Sequence, residues 1–278
     1  LSASPGAILA ILLVAMSGAA PAGEYTEVQR TPADVKRGDE CDRLHQQLRQ
    51  EHADNRKALR DAWAASKKQC GGTGIYELLL GVDERNAGNA DEAMRVLDDS
   101  VKHKLPYYEQ GFVILSVMRF DRAKGAGDMA VARAVRDELA QFAAAHQPDD
   151  FAYQQLADLN VGLKDWPAAV VAAQKSIALN PANARAHRQL VVALHADNRC
   201  VEAVPRIRPA VESNRELLGE LGFMLSAADC YFETGDLKNG VAAMGALLHA
   251  NPAVKDDPNV VQLLKYAAAK GQPIPAPQ

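Results

Sequence analysis

Apolar side chains recur at helical spacing along most of this chain, in short segments separated by polar breaks. The clearest stretch is 150–183, DFAYQQLADLNVGLKDWPAAVVAAQKSIALNPAN. Tyr153, Leu156 and Ala157 fall on one face at i, i+3 and i+4, and Ala169, Ala173 and Ser176 fall on one face of a second segment. Between them Lys164-Asp165 forms the break. Asp165 is placed to cap the second helix, Pro167 lies in its first turn and Asn180-Pro181 ends it. Upstream, Leu44 and Leu48, then Ala58, Leu59, Ala62 and Trp63, mark two more helical faces, with a candidate turn at His52-Ala53-Asp54-Asn55. Downstream, Asp257-Pro258 opens a helix over NVVQLLKYAAAK that stops at Gly271, with a capping residue, a first-turn proline and a terminal glycine in order.

The 150–183 unit repeats. A second copy follows in 34-residue register from Ala184, with His187, Leu190, Val191, Ala203 and Ala210 at equivalent places, and a third starts near Leu221, with Ala228, Gly240 and Pro252. A copy from Gly74 carries Leu80, Gly81, Gly88, Ala93, Leu97 and Ser100. A longer stretch from Tyr107 to His146 matches only by its amphipathic pattern. Self-similarity at this period signals a solenoid of helix pairs. The pattern resembles the tetratricopeptide repeat, in which a bulky residue, a leucine and small residues stand where Tyr153, Leu156, Ala157, Ala169 and Ser176 stand here, with proline at Pro181. The resemblance implies an all-α fold, a right-handed superhelix of antiparallel helix pairs. The expected organisation is a leader at 1–22, a helical hairpin at 23–70, about five repeats at 71–252, and a capping helix with a flexible tail at 253–278.

One segment strains this reading. Pro205 and Pro209 fall inside the second helix of the Ala184 unit, where each proline removes a backbone hydrogen bond at a cost of about 3 kcal/mol. The expectation is a kink, or a helix that starts late with Pro205 in its first turn.

Composition fits helices: the chain is 48% hydrophobic, 24% charged and only 5% aromatic. A net charge of -4 and an isoelectric point near 6.0 supply no basic field for nucleic acid, so no nucleic-acid partner is expected. Residues 1–23 carry no charge, and Ala7 to Met16 form an apolar run followed by Ala20 and Ala22 at cleavage-site spacing, the pattern of a secretory leader. An uncleaved anchor is the alternative, but the run falls short of the ~20 apolar residues that span a bilayer. The chain is therefore expected in the periplasm or secreted, with no stable membrane span after leader removal. Export changes how Cys41, Cys70, Cys200 and Cys230 are read: four cysteines in an oxidising compartment suggest two disulfides, among three possible pairings. Cys41 and Cys70 meet if the 52–55 turn makes a hairpin; in one continuous helix they would stand about 43 Å apart. A bridge from Cys200 to Cys230 would staple two adjacent units beside the prolines.

No catalytic constellation emerges. There is no H-E-x-x-H, no C-x-x-C and no G-x-S-x-G, and Gly71-Gly72-Thr73-Gly74 lacks the Lys-Ser/Thr and the preceding strand of a phosphate loop. No enzyme activity, metal or cofactor is expected. The resemblance instead implies a concave groove lined by the first helix of each pair, which holds a protein or peptide partner. Its positions here are Phe151, Gln154 and Asp158; Arg185, Arg188 and His195; and Leu225, Asp229 and Phe232. Arg185 and Arg188 stand one turn apart, spaced for both to meet one carboxylate. The alternatives are a thiol-based metal or redox protein and an accessory subunit of an envelope enzyme complex. Intact mass before and after reduction and alkylation, on protein from its native compartment, checks the export reading. The expected result is loss of residues 1–22 with all four cysteines protected until reduction; an unprocessed chain with four free thiols overturns it.

Overall fold

The computed structural model describes residues 31–146 and 150–272; the leader expected at 1–22 and the tail beyond residue 272 lie outside them. Among the described residues there are helices and no strands. Three helices open the described residues: α1 (Pro32–Glu51), α2 (Arg56–Ala65) and the single-turn α3 (Lys67–Cys70). Five antiparallel pairs follow: α4 (Ile75–Asn86) with α5 (Ala90–Lys102), α6 (Tyr108–Gly125) with α7 (Met129–Ala145), α8 (Asp150–Gly162) with α9 (Trp166–Leu179), α10 (Ala184–Ala196) with α11 (Cys200–Ser213), and α12 (Leu221–Glu233) with α13 (Leu237–Ala250). The last helix, α14 (Pro258–Ala269), packs on α12 and α13.

The turn inside each pair is the same. A residue in the left-handed region closes every first helix: Gly88, Gly127, Lys164, Asn198 and Gly235, with φ between 58° and 87°. The next residue sends its N–H back to the carbonyl five positions earlier, as in Asp128 to Ala123, Asp165 to Asn160 and Asp236 to Tyr231, at 2.8–2.9 Å. This Schellman closure satisfies carbonyls that the helix end would leave orphaned. In three pairs that same next residue is an aspartate (Asp128, Asp165 and Asp236) whose side chain caps the second helix. The α6/α7 pair, which the repeat pattern matched only loosely, thus closes in register with the others. It differs in length, α6 having 18 residues against 13 in α8, and the extra residues lie at its start.

Close approach within each pair comes from small residues. A Cβ added at Gly81 would lie 2.6 Å from Leu97, and one at Gly240 would lie 2.4 Å from the Phe232 ring. At the place Gly240 holds, the other pairs carry Ala93, Ala132, Ala169 and Ala203, all fully buried. Arg136 departs from this pattern at a neighbouring place, where the other pairs point Leu97, Ala173, Ile207 and Met244 inward. Its guanidinium instead donates to Asn160 Oδ1 at 2.6 Å and Asp165 Oδ2 at 2.9 Å. An apolar slot of about 580 Å³ remains beside it, between α7 and α9.

At the N-terminus the chain turns at 52–55, and Asn55 caps α2 through the Ala58 N–H. Cys41 and Cys70 are bridged across the open end of this hairpin, with Cα atoms 5.8 Å apart. The hairpin docks on the first pair through Trp63, which is fully buried and donates Nε1–H to the Tyr76 carbonyl at 3.3 Å. Buried His45 pairs with Asp83 at 2.8 Å alongside.

Contrary to the expected late start, α11 begins at Cys200 and stays helical through both prolines. Pro205 and Pro209 lie on its exposed face, in line with Val201. The carbonyls of Val201 and Pro205 lose their usual donors on this exposed face, where solvent is at hand to replace them. Cys200, the first residue of α11, is bridged to Cys230 near the end of α12, with Cα atoms 4.7 Å apart. This bridge sits where two hydrophobic clusters adjoin, one spanning α6 to α12 and one spanning α10 to α14. The Cys200→Ala/Cys230→Ala chain is expected to lose about 3–4 kcal/mol of stability through unfolded-state entropy. Amide exchange should quicken first in α11 and α12; uniform exchange across the solenoid would contradict that assignment.

Candidate binding groove

The first helices α4, α6, α8, α10 and α12 stand side by side, each next to its successor. Ionic rungs cross between the later ones. Asp158 on α8 pairs with Arg185 on α10 at 2.6 Å. Arg188 on α10 grips both oxygens of Glu220, at the start of α12, at 2.6 Å each. His195 near the end of α10 meets Asp229 on α12 at 2.9 Å. The hydrogen bonds that Arg188 donates to Glu220 hold its pKa above its ordinary value, against the opposing effect of burial.

These contacts revise the use expected of the arginines. Arg185 and Arg188 do not share one carboxylate. Each has its own acidic partner in this chain, because α10 is flanked by Asp158 on one side and Glu220 on the other. Two other sequence-assigned residues are shielded. Gln154 is buried beside Asn183, and Phe232 lies under the capping helix with its ring 5.3 Å from that of Tyr266. Phe151 and Leu225 are half-buried against the core. Arg185, with 58% of its side chain exposed, and the His195–Asp229 pair remain open to solvent.

No family profile and no curated protein matches the sequence. Solved structures do match. Cut9, in the APC/C hetero-tetramer Cut9–Hcn1, aligns with a TM-score of 0.61 at 13% identity over 84% of this chain and 46% of that one. YrrB, described as a TPR protein with an unusual peptide-binding site, aligns at 0.53 and 12% identity over 74% of this chain and 99% of its own. MamA aligns at 0.50 and 19% identity over 68% and 97%. The chain has the tetratricopeptide-repeat fold.

Within this repeat fold, the sequence pattern overlooked a polar depression of about 170 Å³ lined only by first helices, with Arg85 from α4, Asp121 from α6, Gln155 and Asp158 from α8, and Arg185 from α10. Asp121 escaped because the α6/α7 pair is lengthened and its register could not be counted from a fixed period; the shared Gly-Asp turn at Gly127-Asp128 is the signal that would have placed it. Among the described residues no cluster of three or more His, Cys, Asp or Glu is arranged to hold a metal. All four cysteines are bridged.

Arg188→Ala, Glu220→Ala and the double variant test the strongest rung. Bidentate geometry and partial burial place its coupling near the upper end for ion pairs of this exposure, about 1 kcal/mol. Additive losses in thermal or urea unfolding would show that the rung contributes nothing to the stacking of α10 on α12.

Proposed function

We propose that this chain is a non-catalytic scaffold that works outside the cytoplasm and holds a protein or peptide partner against the face formed by its first helices. The observation that carries the reading is that face itself: five successive first helices in register, crossed by charged and hydrogen-bonding side chains that are partly open to solvent. Peptide binding in YrrB, as its description states, supports the same use of the fold here. The two bridges support an oxidising compartment, where structural disulfides persist. Among the described residues no helix is long and apolar enough to cross a membrane. The organisation proposed is a leader at 1–22, a bridged hairpin at 23–70 that covers one end of the repeats at 71–252, and a cap at 253–278 that covers the other.

Peptide display against the intact, oxidised chain tests this. Selected peptides should bind through the first-helix face, so Arg185→Ala with His195→Ala should weaken them by about tenfold, the effect of losing one or two good contacts. Val171→Glu, on the opposite face, should leave them unchanged. Binding that survives the first pair of changes and is lost with the second would move the partner to the other face and overturn the proposal.

A further inference from the structure

The slot between α7 and α9 opens between second helices, away from the first-helix face. Its volume of about 580 Å³ lies within the roughly 300–1,000 Å³ of small-molecule sites. It opens beside Arg136, at the place from which the other pairs send Leu97, Ala173, Ile207 and Met244 into the core. The middle of the slot is apolar: Ala140 on α7, Tyr153 and Leu156 on α8, and Pro167, Val171 and Ala172 on α9.

Polar groups gather at its two ends, and the ends differ in charge. At one end the Arg136 guanidinium donates to Asp137 at 2.6 Å, to Asn160 at 2.6 Å and to Asp165 at 2.9 Å, so two carboxylates face one cation. The other end lies at Lys175, about 15 Å from Asp165 at the rise of a helix. There the Lys175 ammonium sits 5.1 Å from the centre of the Tyr153 ring. No carboxylate among the described residues pairs with it. An anion is therefore attracted to the Lys175 end and repelled from the Arg136 end.

Between the ends the lining side chains offer no hydrogen bonds. The Tyr153 hydroxyl is already donated to the Ala143 carbonyl at 3.3 Å, and Pro167 has no N–H. A peptide laid along this stretch would bury backbone amides against side chains that cannot pair with them, which is unfavourable. An acyl chain has no such groups to satisfy. We propose that the slot binds a fatty-acid-type ligand, an unbranched acyl chain lying between α7 and α9 with its carboxylate at Lys175. The proposal goes beyond the scaffold reading and does not depend on it.

Titration of decanoate, below its micellar concentration, into the full, oxidised, ¹⁵N-labelled chain tests the site. The backbone amides of Ala140, Val171 and Ala172 should shift together and saturate, while those of Arg185 and Asp229 stay in place. Octanoate, with two fewer methylenes to bury, should bind about tenfold more weakly. Decanol, which lacks the charge, should bind about fivefold more weakly than decanoate, and decylamine more weakly still. Lys175→Gln should lower decanoate to the level of decanol and leave decanol unchanged. Lys175 is exposed, so this variant keeps the fold, as its thermal unfolding should show. Ala140→Leu, which puts an apolar side chain into the slot, should remove the response to every probe. Shifts that fail to saturate, decylamine binding as tightly as decanoate, or an undiminished decanoate response in Lys175→Gln would overturn the proposal. So would tighter binding of N-acetyl-phenylalanine than of decanoate, which would assign the slot to the C-terminus of a peptide. None of these results bears on peptide binding at the first-helix face, so the two readings stand or fall separately.

Discussion

The closeness of the two helices in each pair is the constraint on which the remaining structure depends. Gly81 against Leu97 and Gly240 against the Phe232 ring leave no room for a single added carbon, and the buried alanines at matching places in the other pairs serve the same purpose. Close pairs with a left-handed closing residue emerge at a fixed angle, so each pair presents the same surface to the next. Such a stack leaves apolar faces open at both ends. The bridged hairpin with Trp63 covers one, and α14 with Val260, Ala267 and Tyr266 covers the other.

Where the pairs depart from regularity, polar and covalent bonds substitute for packing. Arg136 occupies a core-facing place and is satisfied by Asn160 and Asp165, at the cost of the slot between α7 and α9. α11 forgoes two backbone hydrogen bonds at Pro205 and Pro209, yet stays helical because those prolines face solvent and Ile207 and Ala210 still face the core. The Cys200–Cys230 bridge lies at the first turn of that same helix, where the larger hydrophobic cluster gives way to the C-terminal one. Both of its cysteines belong to the larger cluster, and it ties the start of α11 to α12.

The first-helix face is largely satisfied before any partner arrives. Its rungs join successive units, so the charges on this face also hold neighbouring pairs together. Freeing Arg188 for any other contact would break a bidentate bond to Glu220.

Helical periodicity, small residues at recurring places and the Gly-Asp turns sufficed to determine the fold, because each acts locally or at a fixed period. Asp165, Asp257, Pro258 and Gly271 act as the pattern requires. The hairpin at 52–55 was legible only as one of two alternatives, and the docking of Trp63 beneath Tyr76, beside the Cys41–Cys70 bridge, decided it. Only the tertiary structure could assign partners to Arg185 and Arg188, since Asp158 and Glu220 are about thirty residues away along the chain and become neighbours through superhelical stacking. Likewise Phe232 and Gln154 read as groove residues from position alone, and packing by α14 and Asn183 buried them. The depression around Gln155 draws on four helices, one of them lengthened out of period, and no spacing rule brings those residues together.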